Sequence, residues 1–160
     1  MIVDRAHGAP MGGQLLYSKS EYSFRYRPDE DELGRRIGTE GSTSIAVGTL
    51  QIQVDVSSRQ LLFVWGYHPN PAWQPAELAM PAADPGRLEV PEGIRLESGV
   101  AYRLAGIGEW KTSVDPQSGL VRIARTPDRD EDFTMFAESI TAGRVDGELH
   151  SLWLRPDMID

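Results

Sequence analysis

Apolar and polar residues alternate through residues 50–56, LQIQVDV, with Leu50, Ile52, Val54 and Val56 on one side and Gln51, Gln53 and Asp55 on the other. A period of two is that of a strand with one buried face. Residues 57–60, SSRQ, read as a loop, and 61–67, LLFVWGY, as the returning strand. With a four-residue loop, Val56 faces Leu61, Val54 faces Phe63, Ile52 faces Trp65 and Leu50 faces Tyr67. Every pair on that side is apolar, so this register predicts that Trp65 is a core residue.

The same logic predicts two more hairpins. Residues 109–125 read as strand, Asp-Pro…Gly turn and strand, with Gly119 inviting a bulge that leaves the register free by one residue. Residues 140–154 turn at Asp146-Gly147, a strong two-residue hairpin signal that sets Ile140 against Trp153 and Ala142 against Ser151. A Val-Asp pair recurs at Val54-Asp55, Val114-Asp115 and Val145-Asp146. Its spacing is too irregular for a solenoid or propeller, and it reads as turn chemistry.

Upstream, EYSFRYR (21–27) sets Tyr22, Phe24 and Tyr26 against Ser23, Arg25 and Arg27, which predicts another half-buried strand. Residues 28–42 hold little that could be buried and predict a mobile loop with at most one helical turn. Residues 69–93 carry six prolines and predict a second long loop, where only PAELAM (75–80) suits a short helix. The expected fold is all-β: an antiparallel β-sandwich or β-barrel built from hairpins, with at most one or two short helices, as one domain over 1–160.

Composition narrows the chemistry. At 160 residues the chain has one domain's length and needs no disulfide or metal to fold. It has no cysteine, which removes thiolate metal sites and cysteine nucleophiles. The start, MIVDRAHGAPMGG, lacks the basic-then-apolar pattern of a leader, and no apolar run is long enough to span a membrane. A soluble cytoplasmic protein is the expectation. The net charge of −8 opposes nucleic-acid phosphate and favours basic protein partners.

Catalytic signatures are sparse. His7, His68 and His150 are the only histidines, and none has metal-ligand spacing to another. Asp128, Asp130 and Asp132 have the alternate spacing of a calcium loop, but Phe133 replaces the turn glycine and Ser139 the final glutamate. Gly106-Ile107-Gly108 has Lys111 where a dinucleotide loop needs a third glycine, and reads as a bend in a strand. YSFRYR resembles a base-stacking surface only in composition, since its aromatics share one side. No cofactor or metal is expected.

The stretch after Tyr67, HPNPAWQP (68–75), is the strongest candidate for function. It offers a titratable imidazole, prolines that hold the backbone and a tryptophan, the residue type most enriched at binding hot spots. Tyr67, His68 and Trp73 are nominated there, with Glu109-Trp110 as a second aromatic-polar pair. Two readings follow. The first is a non-enzymatic binding module for a protein, of the acidic inhibitor or immunity type, with a homodimer left open. The second is a small β-barrel holding a small molecule, where, for catalysis, His68, Glu109 or a tyrosine would serve as acid or base.

Overall fold

The computed structural model describes residues 1–104, 106 and 109–160. Strand makes up 51% of the chain and helix 7%, so the fold is all-β as expected. The first strands are β1 (Asp4–Ala6), β2 (Gly13–Ser18), β3 (Ser23–Pro28), β4 (Ser42–Val47), β5 (Leu50–Asp55) and β6 (Leu61–Tyr67), with helix α1 (Glu30–Arg36) after β3. Four short strands follow: β7 (Gln74–Pro75), β8 (Asp84–Pro85), β9 (Arg87–Glu89) and β10 (Tyr102–Arg103). The last are β11 (Trp110–Val114), β12 (Val121–Arg125), β13 (Asp132–Ala137), β14 (Ile140–Val145), β15 (Glu148–Leu154) and β16 (Asp157–Ile159).

Among the described residues these form a sandwich of two seven-stranded sheets, with β1 and β9 as a separate ribbon. The first sheet has the order β10-β4-β5-β6-β3-β2-β16 and the second β7-β11-β12-β15-β14-β13-β8. Each holds five antiparallel strands flanked on both sides by a short strand that pairs in parallel. The two centres share one topology: replacing β2–β6 by β11–β15 turns β4-β5-β6-β3-β2 into β13-β14-β15-β12-β11. The strand that follows each unit crosses over, β7 pairing with β11 and β16 with β2. The halves are therefore laced together, and one apolar cluster, including Tyr17, Phe24, Ile52, Phe136, Ile140 and Leu152, runs through both.

This duplication lies in the strand order and not in the Val-Asp pairs, which are turn chemistry as read. Asp55 closes the β5–β6 loop and Asp115 the β11–β12 loop, which are not matching positions. Their turns are nevertheless alike: Arg59 N–H donates to Asp55 O and Gly119 N–H to Asp115 O. Arg59 (φ 64°) and Gly119 (φ 76°) both take the left-handed conformation that closes such a turn. Asp146 (φ 51°) and Gly147 (φ 79°) form the expected two-residue turn.

Two registers differ from expectation. The first loop begins at Asp55, because that carboxylate accepts Ser58 N–H at 2.9 Å and Gly38 N–H at 3.0 Å. Val56 is drawn out of the ladder to donate to Gly41 O. Val54 then pairs with Leu61, a bulge follows, and Gln51 rather than Ile52 lies opposite Trp65. Trp65 is consequently 42% exposed on the outer face, not in the core. In the third hairpin a bulge at Gly143/Arg144 pairs Ile140 with Leu154 and Ala142 with Leu152. Gly143 suits that bulge, since an added Cβ would lie 2.3 Å from Ser151 Oγ.

Both expected long loops carry structure. Residues 30–36 make two helical turns, with Asp29 Oδ1 accepting Glu32 N–H at 3.0 Å. Acidic residues fill the first turn and basic ones the last, which suits the helix dipole. Arg36 is buried and donates to Gln60 Oε1, so the segment is anchored. PAELAM forms no helix, and the proline-rich stretch instead supplies edge strands. Pro75 and Pro85 sit at sheet margins, where a missing N–H costs no ladder bond.

Candidate functional site

His68 follows directly on β6 and is held by its backbone. Its N–H donates to Tyr22 O at 2.7 Å, and its carbonyl accepts the Tyr17 hydroxyl at 2.8 Å. The ring turns inward, 6.2 Å from Phe24 and 5.8 Å from Trp73 between centroids. Its Nε2 lies 2.8 Å from Thr112 Oγ1 on β11. Burial lowers the imidazole to about 4, so it is neutral at neutral pH.

Pro69 then starts a single 3-10 turn over Asn70–Ala72, closed by Trp73 N–H donating to Asn70 O. This turn returns Trp73 to the interior, 4.8 Å from Tyr17 and 5.9 Å from Phe24. Trp73 is only 8% exposed, so it ends the core instead of projecting as an anchor. Its indole N–H and that of Trp110 are both buried without a partner among the described residues.

A cleft of about 380 Å³ opens beside these groups. The β4–β5 turn (Val47–Thr49), His68, Pro69, Ala72 and Trp73 form one wall, and Trp110, Lys111, Thr112 and Ile123 the other. Three of the five nominated residues, His68, Trp73 and Trp110, thus come together. Glu109 does not join them: it lines a smaller cleft of about 220 Å³ that shares the Trp110 wall. There Arg125 donates to Glu109 at 2.9 Å and to Glu148 at 3.0 Å. The two candidate acid-base groups therefore face different clefts. Tyr67 lies elsewhere, 51% exposed on the outer face of the first sheet with Trp65.

Lys111 and Thr112 were not nominated from sequence. Their only signal is that they follow Trp110, and a strand facing a cleft reads like any other half-buried strand. His150 is buried, its Nε2 without a partner among the described residues, and His7 is exposed. Asp128 bonds Arg122 at 2.8 Å and Asp132 bonds Arg144 at 3.0 Å, so ion pairs spread the acidic loop apart. Hydrogen bonding to Arg122 holds the Asp128 carboxyl below its usual range. Among the described residues no group of three His, Asp or Glu side chains is placed to hold a metal, and no helix is long and apolar enough to cross a membrane. Of the bend expected at Gly106-Ile107-Gly108, Ile107 and Gly108 lie outside the described residues. Comparison with protein-family models and with curated proteins finds no match.

Proposed function

We propose that the protein is a non-catalytic binding module whose ligand occupies the cleft between the segment after β6 and the edge of β11. The observation that carries this reading is the convergence of His68 and Trp73, from the segment after β6, with Trp110, from β11, on one cleft of about 380 Å³. Its walls are mainly apolar with a few polar groups, which is the usual make-up of a small-ligand site, and its volume lies within their range. An imidazole that burial makes a weak base, with its Nε2 already bonded to a threonine hydroxyl, is suited to shaping a wall more than to accepting a substrate proton. Ala72→Trp, at an exposed position on the rim, tests this by filling the cleft. Indole titrated into the wild type should shift the amide resonances of Thr112 and His68, and the variant should show no such shifts. Equal shifts in both proteins, or none in the wild type, would refute the reading.

A second reading has its own observation. Trp65 at 42% and Tyr67 at 51% exposure share the outer face of β6, on a chain of net charge −8. This aromatic face suits a protein contact, and a basic partner would be steered toward the acidic chain. A photo-crosslinker at Tyr67 should then capture that partner in the native host. Capture only from a position at the cleft rim would count against the outer face.

A further inference from the structure

Trp110, Lys111 and Thr112 of β11 all line the cleft, but their side chains do not leave the strand on one face. Thr112 lies opposite Ile123, a core residue, and its hydroxyl meets His68, so its side chain points inward. Trp110 shares that face by two-residue alternation, and Lys111 leaves from the other one, where it is exposed. Lys111 is the one formally charged residue of the lining. With its side chain on the opposite face and burial keeping His68 neutral, no formal charge among the described residues of the lining faces the interior.

One hydrogen bond decides what polar capacity is left there. A neutral imidazole carries one N–H and a threonine one O–H, and the 2.8 Å contact between His68 Nε2 and Thr112 Oγ1 uses one of these two hydrogens. Neither side chain has a further partner among the described residues. When Nε2–H donates, Oγ1 keeps its own hydrogen and one lone pair. When Oγ1–H donates, both lone pairs of that oxygen stay open and the spare hydrogen sits on Nδ1. Oγ1 can therefore accept a hydrogen bond in either tautomer, but it can donate one only in the first. A ligand hydroxyl at Oγ1 is served in both cases, whereas a ligand carbonyl is served in one.

We infer that the cleft binds an uncharged, mainly apolar molecule bearing a hydroxyl that donates to Thr112 Oγ1. This rests on the cleft being the binding site. The apolar body lies against Val47, Trp73, Trp110 and Ile123, and its burial supplies most of the affinity. The hydroxyl fixes its orientation. A carboxylate or ammonium would lose its water there with no opposite charge to pair with, so the site selects against ions.

Phenol, uncharged at neutral pH, is the probe, with toluene, anisole, benzoate and benzylamine as ring analogues, followed by calorimetry and by the Thr112 amide resonance. Phenol should bind about three- to tenfold more tightly than toluene, the ordinary worth of one hydrogen bond. Anisole, which keeps the oxygen but has no hydrogen to give, should bind less tightly than phenol. Benzoate and benzylamine should each bind at least about tenfold less tightly than phenol. His68→Phe combined with Thr112→Val makes both bonded partners apolar, a change that can leave stability nearly unaltered. In that double variant phenol should lose its advantage while toluene still binds, the spectrum confirming the fold. An advantage that survives there would overturn the inference. If indole binds while phenol does no better than toluene or anisole, or benzoate matches phenol, the hydroxyl inference falls and the cleft stands. If neither indole nor any uncharged analogue binds, both fall.

Discussion

The imidazole of His68 reaches from the end of β6 to the Thr112 hydroxyl 2.8 Å away, tying the first sheet to β11 of the second. The same contact forms one wall of the cleft and fixes the direction of the ring.

That buried ring makes stability depend on pH. The imidazole is lowered to about 4 in the folded chain from an ordinary value near 6.5. Between those values the unfolded chain takes up a proton that the folded chain refuses, so stability falls as pH drops from 6.5 toward 4. The loss should reach about 3 kcal/mol and be absent above pH 7. Denaturation of the wild type and His68→Gln across this range checks it. Parallel profiles for the two proteins would refute it.

The tryptophans should separate sharply. Trp73→Ala removes a ring stacked on Phe24 and tilted against Tyr17, and should cost about 3–5 kcal/mol. Trp65→Ala removes an outward ring whose indole donates to Gln53 Oε1, and should cost about 1 kcal/mol or less. Urea denaturation of both variants measures the difference, and the reverse order would restore the register expected from sequence.

Asp55 is 1% exposed and its carboxylate holds Gly38 and Ser58 N–H groups. Asp55→Ala leaves both donors without that acceptor and should cost roughly 1–3 kcal/mol. Hydrogen exchange of the Gly38 amide should quicken in the variant. Unchanged exchange would show that the carboxylate does not hold the turn.

Gly143→Ala places a methyl group 2.3 Å from Ser151 Oγ and 2.0 Å from Glu131 Oε2. The Glu131 side chain can swing away, but doing so breaks its bond to Ser151. A loss of about 1–3 kcal/mol is expected, read as a lower melting temperature. A neutral result would mean that the bulge relaxes freely.

Alternation along the chain was sufficient to determine the fold class and the presence of three hairpins, because a two-residue period with turn residues at its ends has few other solutions. It also pointed to His68, Trp73 and Trp110, whose residue types are informative wherever they fall. Alternation cannot detect an inserted residue, and one bulge reverses every side chain beyond it. The face of Trp65 therefore depended on the Asp55 carboxylate finding Gly38, seventeen positions away in the chain. The cleft arose in the same way. The segment after β6 meets β11 across the cleft because the chain after Pro69 turns inward, where Trp73 packs on Tyr17 and Phe24. The repeated strand order escaped the sequence because matching strands need share only apolar character, and which strands become neighbours is settled by burial in three dimensions.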